Sequence, residues 1–219
     1  MQNFIKRLSS SQIIILGFAG VILLGSLLLM LPLSTADGRG APFADALFTA
    51  TSAVCVTGLV VHDTATYWSV FGQTVIILLI QTGGMGVVTV ALALYSISGK
   101  RISLKQRSTM QESISAHKLD GIVGMTGFII RMCLIFELAG AALLCPVFIP
   151  QLGLLRGIGY SLFHSISAFC NAGFDLMGIN GEYSSVTAYV ANPLLNLVIM
   201  ALIITGGIGF LTWDDIRTN

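Results

Sequence analysis

Two short segments of the chain end in a glycine, and their most useful chemical groups are those of the main chain. They consist of Cys55, Val56, Thr57, Gly58 and of Cys170, Asn171, Ala172, Gly173. Glycine permits a positive φ and lets a ligand approach the backbone closely. A ring of backbone carbonyl groups can replace the hydration shell of a cation. The two segments therefore predict a cation site built from carbonyl oxygens.

Both segments belong to an internal repeat. Residues Leu47–Gly58 and Leu162–Gly173 are identical at six of twelve aligned positions, and Thr82–Gly86 matches Thr205–Gly209 at four of five. Self-similarity of this kind indicates a duplicated structural unit. We predict one unit in residues 1–110 and a second in residues 111–219. Each unit is expected to contain a helix, a half-helix, a turn and a second helix.

The composition places these units in a membrane. Hydrophobic residues make up 55% of the chain and charged residues 10%. Three runs, 8–36, 64–99 and 183–213, contain no charged residue, and a fourth, 122–149, contains only Arg131 and Glu137. About 20 apolar residues are enough to cross a bilayer as a helix. The sequence therefore predicts an all-α membrane protein with four transmembrane helices.

Two further apolar stretches are too short to cross. Pro42–Val54 reaches only about 20 Å as a helix, and Gly153–Phe169 is similar. We predict that both are re-entrant half-helices, with Pro42 in the first turn and Asp45 near the positive end of the helix dipole. Non-helical backbone at membrane depth is tolerated where it lines a wet cavity. The turns that follow are thus expected to line a pore, facing the negative helix ends that favour a cation.

Basic residues set the predicted orientation, because short loops rich in Lys and Arg stay in the cytoplasm. They precede the first span and cluster between the second and third, which places both termini on the cytoplasmic side. Two spans per unit give both copies one orientation, which favours a channel-like pore over inverted repeats. These residues are Lys6, Arg7, Lys100, Arg101, Lys105, Arg107 and Lys118.

Several function classes lack support. The net charge of +1 without a basic run gives no basis for nucleic-acid binding. The four cysteines form no Cys-x-x-Cys pair, so we predict free thiols, with Cys55 and Cys170 packed behind their turns. His164 and Ser167 lie three residues apart on a half-helix, which is poor evidence for a catalytic pair. We therefore predict that the protein is not an enzyme.

Other polar and small residues have more than one interpretation. The glycines at 83, 84, 86, 206, 207 and 209 could be hinges, but we favour close helix packing. Asp63 could concentrate cations at a pore mouth or be a solvated loop charge. His164 is expected to donate or accept a hydrogen bond behind the second turn. Arg131 and Glu137 lie too far apart around a helix to pair directly. Each is therefore a functional candidate, a partner of a neighbouring helix or a residue near the membrane interface.

The sequence resembles the membrane subunits of the Trk/Ktr/HKT potassium transporter superfamily, most closely the bacterial Ktr type. The resemblance is carried by Val56-Thr57-Gly58 and by the run from Phe169 to Phe174. It implies that these turns belong to a selectivity filter, with K⁺ held by the carbonyls of Val56, Thr57, Asn171 and Ala172. In the family, glycine at the filter position of each unit accompanies K⁺ selectivity, and serine in the first unit accompanies Na⁺ permeation.

The resemblance also implies an assembly. Family subunits have four such units around one pore, so this chain is expected to be the N-terminal half of a longer subunit. Ktr-type members are plasma-membrane homodimers on a cytoplasmic ring of nucleotide-binding regulators, with uptake stimulated by Na⁺ and no covalently bound cofactor. We expect Lys100–Asp120 to contact such a ring. Two alternatives remain: a secondary transporter with a substrate site at broken helices, and a membrane scaffold that transports nothing.

Overall fold

The computed structural model describes residues 9–97, 104–113 and 122–218, and over these ranges the chain is helical, with an isolated antiparallel bridge between Thr35 and Trp68. Helix α1, Ser10–Leu29, starts at a reciprocal capping box between Ser9 and Gln12. It ends just before Pro32, which lacks the N–H that a continuing helix needs. The predicted all-α fold class is confirmed.

The first unit continues with α2, Phe43–Val54, and α3, Val70–Met85. Pro42 is the residue before α2 and not part of its first turn as predicted, whereas Asp45 does lie in that turn. The side chain of Ser69 accepts a hydrogen bond from the backbone N–H of Gly72 and so caps α3. Helix α2 packs between α1 and α3, and at 12 residues it is too short to cross a bilayer.

The second unit repeats this order with α6, Ile122–Leu152, α7, Leu154–Phe169, and α8, Pro193–Gly207. Gly153 alone separates α6 from α7, and its φ of 79° lets the chain reverse there. Asn192 caps α8, and Pro193 occupies its first turn. Helix α7 packs against α6 and α8. The predicted half-helix is therefore confirmed within one residue.

The second helix of each unit is broken, a feature that the prediction of four transmembrane helices did not include. Helix α3 meets α4, Val87–Ile97, at a 99° bend, and α8 meets α9, Phe210–Thr218, at 86°. The breaks coincide with Gly86 and Gly209, whose φ values are 85° and 87°. Helices α1 and α6 can each cross a membrane unaided, and the count reaches four only if each bent pair is one span.

Helix α5, Leu104–Ser113, lies between the units and contacts α1, α4 and α6. The hydroxyl of Ser11 donates to Glu112 over 2.5 Å, and Thr126 donates to the sulfur of Met110 over 3.1 Å. The boundary between residues 110 and 111 falls inside α5 and stays a prediction. Residues 1–8, 98–103 and 114–121, which include most of the predicted cytoplasmic basic cluster, lie outside the described residues.

Apolar side chains lie on both the inside and the outside of the fold. Trp68, Ile76 and Ile80 are buried in the first unit, and Leu144 and Phe148 in the second. The long helices also expose many large apolar side chains, as helices that face lipid or other membrane helices do. They include Ile15, Leu24, Leu27, Ile135, Leu138, Leu197 and Ile204.

Candidate functional site

The turns that follow α2 and α7 have the same backbone conformation. Val56 and Asn171 have φ of 57° and 58°, and Gly58 and Gly173 have 72° and 75°. In both turns the residue after the first left-handed one donates its N–H to the carbonyl of a serine in the preceding half-helix. The distance is 2.9 Å from Thr57 to Ser52 and 2.8 Å from Ala172 to Ser167. Positive φ is uncommon outside glycine and concentrates at functional sites.

The left-handed residues at positions 56 and 58, and at 171 and 173, change the direction in which the carbonyl groups face. In an extended strand, successive residues face opposite sides. A left-handed residue at every second position breaks that pattern, so consecutive carbonyl oxygens can face one side. A row of carbonyls on one side is the arrangement that coordinates a dehydrated cation.

The two turns meet at their glycines. A Cβ added to Gly58 would lie 2.5 Å from the carbonyl oxygen of Ala172, and one added to Gly173 would lie 3.6 Å from the Cα of Gly58. The backbones are therefore in contact with no room for a side chain at residue 58. The structure thus brings together the eight residues singled out in the sequence, at the C-terminal ends of the two half-helices.

Side chains of the turns bond to the scaffold behind them. The hydroxyl groups of Ser52 and Thr57 lie 2.8 Å apart. Ser167 donates to the carbonyl of Phe174 over 2.6 Å, and the Asn171 amide donates to the carbonyl of Ile203 in α8 over 3.4 Å. These bonds leave the main chain as the group available to a ligand.

His164 is buried and both of its ring nitrogens have backbone partners. Its Nε2 accepts from the N–H of Leu176 over 3.2 Å, so its Nδ1 carries the proton and donates to the carbonyl of Tyr160 over 2.7 Å. The predicted hydrogen bond behind the second turn is confirmed. Ser167 donates to Phe174 instead of His164, so these two side chains do not form a nucleophile and base.

Asp63 differs from both of its predicted roles. Only 7% of its surface is exposed, so it is neither a solvated loop charge nor a free carboxylate at a pore mouth. Its carboxylate accepts hydrogen bonds from the N–H groups of Ala65, Thr66 and Tyr183. The signal was missing from the sequence because Tyr183 lies in the other unit.

The inner helices support the turns through their glycines. A Cβ at Gly83 would clash with the carbonyl oxygen of Val54 at the end of α2, and one at Gly206 would clash with that of Phe169 at the end of α7. Close packing, the favoured prediction, is confirmed at these two residues. Gly86 and Gly209 are instead the left-handed residues at the helix breaks, so packing was the wrong choice for them.

The cysteines are free thiols among the described residues, as predicted. Cys170 packs against α3, because a Cβ at Gly84 would lie 2.5 Å from its sulfur. Cys55 is exposed in this chain, so its predicted packing behind the turn is wrong. The described residues contain no group of three His, Cys, Asp or Glu side chains that could hold a metal ion.

Charges around α2 support its orientation. Asp45 in its first turn lies 2.8 Å from Nε2 of His62, and the ring of His62 stacks on Tyr67 at 3.8 Å. Burial raises the pKa of the Tyr67 phenol, with the Asp45 carboxylate as a further cause, so this ring stays neutral. The opposite end of α2 carries the negative end of its dipole and opens onto Val56 and Gly58.

Glu137 has its partner on a neighbouring helix, which is one of the alternatives predicted for this residue. Its carboxylate accepts from the side-chain amide of Gln81 on α3 over 2.8 Å, and its backbone carbonyl accepts from Ser165 on α7 over 2.7 Å. These bonds join α6 to the inner helix of the first unit. Composition could not reveal Gln81, because a single amide in an apolar run has no pattern.

One cavity lies beside a turn and another lies at the helix breaks. One of about 210 Å³ lies beside the second turn, lined by residues that include His164, Asn171, Gly173 and Asp175. Another of about 430 Å³ lies where the two helix breaks approach each other. Its lining includes Gly83, Gly84, Gly86, Ser113, Gly209 and Phe210.

Comparison with known proteins identifies the family of the chain. The family model of the cation transport protein TrkH matches residues 7–217. The chain belongs to the TrkH family. It is therefore an integral membrane protein of a cation transporter family and not of an enzyme family, and the resemblance seen in the filter-like turns is confirmed.

Individual relatives have more specific names. The chain is 44% identical over 213 residues to the Ktr system potassium uptake protein B of Bacillus subtilis, covering 97% of this chain and 46% of the relative. It is 43% identical over 211 residues to the potassium/sodium uptake protein NtpJ of Enterococcus hirae, covering 96% and 46%. Protein B of the Vibrio alginolyticus Ktr system is 37% identical. The chain spans less than half the length of these relatives.

Proposed function

We propose that this chain contributes two of the four quarters of a potassium-selective pore. The observation that carries the proposal is the pair of turns with matching left-handed residues, meeting at Gly58 and Gly173 beneath two half-helix C-termini. The filter would comprise the eight turn residues. K⁺ would be bound by the carbonyls of Val56, Thr57, Asn171 and Ala172.

The names of the relatives indicate which ion is transported. Three of them are potassium uptake proteins of Ktr systems, and NtpJ takes up potassium and sodium. K⁺ is accordingly the transported ion in our proposal, and Na⁺ acts as a stimulating ion. A main-chain site fits K⁺, because neutral carbonyl oxygens can replace its hydration shell.

The proposed assembly extends beyond this chain. Two further pore units complete the filter, a second membrane subunit forms a dimer in the plasma membrane, and a cytoplasmic ring of nucleotide-binding subunits regulates it. The word "system" in the relatives' names supports several components. The segment from 100 to 120 is the proposed contact, and within it α5 exposes Ser108 and Glu112.

A secondary transporter is the second candidate, because α3 and α8 are both broken. Such transporters bind anionic substrate groups at half-helix N-termini. Here the half-helix ends that meet at the candidate site are C-termini, which attract cations. The geometry therefore favours the pore.

Uptake by a full-length subunit that contains this chain tests the proposal. It would be expressed in cells that lack their own potassium uptake systems, and growth at low K⁺ and uptake of Rb⁺ would be measured beside the amount of protein in the membrane. We expect growth and Rb⁺ uptake. Membrane-inserted protein with no uptake would support the scaffold alternative, and uptake that requires an anionic co-substrate would support the secondary transporter.

A further inference from the structure

Asp63 is the centre of a hydrogen-bonded loop that lies five residues after Gly58. Its Oδ1 accepts from the N–H of Ala65 over 3.0 Å, and from the N–H and hydroxyl of Thr66 over 2.9 Å each. Its backbone carbonyl accepts from the N–H of Tyr67 over 3.1 Å. The loop is therefore ordered by the carboxylate around which it folds.

The base of α3 fixes this loop further. The side-chain amide of Gln73 donates to the carbonyls of Thr64, Ala65 and Trp68 over 3.0 to 3.3 Å. Trp68 is only 2% exposed. The loop after the first filter-like turn is thus attached to the helix that supports that turn, and Asp63 has little freedom to move alone.

The second carboxylate oxygen of Asp63 contacts the second unit. Oδ2 accepts from the N–H of Tyr183 over 2.9 Å, across 120 residues of sequence. Gly178 packs so closely on the carboxylate that a Cβ there would clash with both oxygens. The Tyr183 hydroxyl also donates to the carbonyl of Val61 over 3.1 Å. The loop from residue 178 to residue 184 of the second unit therefore sits on the first unit.

This loop is continuous with the second filter-like turn. Leu176, three residues after Gly173, donates its N–H to His164, and the carbonyl of Phe174 accepts from Ser167. The carbonyl of Met177 accepts from the hydroxyl of Ser184 over 3.0 Å. A short, bonded path thus joins Asp63 to Gly173 on one side, and the covalent chain joins it to Gly58 on the other.

We propose that Asp63 is a positioning residue that fixes the outer ends of the two filter turns relative to each other. A carboxylate suits this role because it accepts from donors of two units at once and supplies no donor of its own. Hydrogen bonds to an ionised acceptor are among the strong ones, and burial away from water strengthens them. Since a carbonyl ring discriminates ions by its geometry, a shift of one turn against the other changes selectivity. This proposal rests on the proposed function.

The test uses a full-length subunit and the ratio of K⁺ to Na⁺ uptake. Asp63→Asn keeps the size of the side chain but leaves it a single acceptor oxygen. When that oxygen accepts from Ala65 and Thr66, the NH₂ group of the asparagine faces the N–H of Tyr183, and two donors then oppose each other. Gly178→Ala retains the charge and pushes the same contact apart. Thr66→Val is the matched control, because it removes a bond to Asp63 within the loop and leaves the bond between units.

We expect Asp63→Asn and Gly178→Ala to lower the K⁺ to Na⁺ ratio by about fivefold, a size consistent with the loss of one net hydrogen bond, and Thr66→Val to leave the ratio unchanged. If Asp63→Asn does not accumulate, Tyr183→Phe, which removes an exposed bond at the same contact, is expected to lower the ratio by a smaller factor.

Three results would overturn the proposal. Variants with normal ratios, or with reduced uptake at an unchanged ratio, would make Asp63 a purely structural residue. A lower K⁺ to Na⁺ ratio in Asp63→Asn with an unchanged ratio in Gly178→Ala would mean that the charge of Asp63 affects selectivity and that its position does not. Absence of uptake by the wild-type subunit would instead contradict the proposed function, because the variants are compared with an active parent.

Discussion

At the scale of single residues, the turns could be located from the sequence but their conformation could not. Gly58 and Gly173 were identifiable because each ends a repeated segment after a short apolar helix. Val56 and Asn171 have positive φ in spite of their side chains, and the β-branched valine disfavours that region most. The hydrogen bonds from Thr57 to Ser52 and from Ala172 to Ser167 enforce this conformation, and they form only when the turn has folded back on its half-helix.

Gly58→Ser in a full-length subunit tests the first turn. The new Cβ would lie 2.5 Å from the Ala172 carbonyl, and the left-handed backbone would add roughly 1–2 kcal/mol of strain. We expect the K⁺ to Na⁺ uptake ratio to fall about tenfold as the carbonyl ring loosens. Gly38→Ser is the control, because Gly38 has a φ of 71° with open space around it. Equal K⁺ to Na⁺ uptake ratios in the two variants would show that Gly58 is not a filter residue.

At the scale of elements, the half-helices were predictable from length and the helix breaks were not. A helix of the thirteen residues from Pro42 to Val54 is too short to cross a bilayer, whatever surrounds it. In contrast, the repeated Thr-Gly-Gly-x-Gly motif contains glycines with two roles, and nothing local separates them. Gly83 and Gly206 allow α3 and α8 to touch the half-helix ends, while Gly86 and Gly209 turn the chain by close to a right angle.

Gly83→Ala tests the support of α2 by α3. Its methyl group would clash with the Val54 carbonyl, so the two helices must separate, at a cost of about 1–3 kcal/mol typical of overpacking. We expect a lower midpoint of thermal unfolding for the purified full-length protein. Gly127→Ala on α6 has open space, and there alanine is neutral or stabilising. Similar midpoints for the two variants would contradict close packing at Gly83.

At the scale of the whole molecule, the two units form one body through contacts that lie far apart in sequence. Gln81 bonds to Glu137, Asp63 bonds to Tyr183, and Gly58 touches the backbone of Ala172. The repeat predicted two units of one orientation, but it could not predict these contacts, since self-similarity shows which segments match and not which residues of the two copies touch. The chain spans less than half the length of its relatives.

The central claim is that the turns at Gly58 and Gly173 bind the transported ion through their main chain. The most direct test is a structure of the full-length protein with Tl⁺, a K⁺ substitute that anomalous scattering locates. We predict Tl⁺ sites on the axis beside these turns, coordinated by the carbonyls of Val56, Thr57, Asn171 and Ala172 and by the matching turns of the other units. Tl⁺ bound elsewhere in the membrane region, with none at these carbonyls, would contradict the claim.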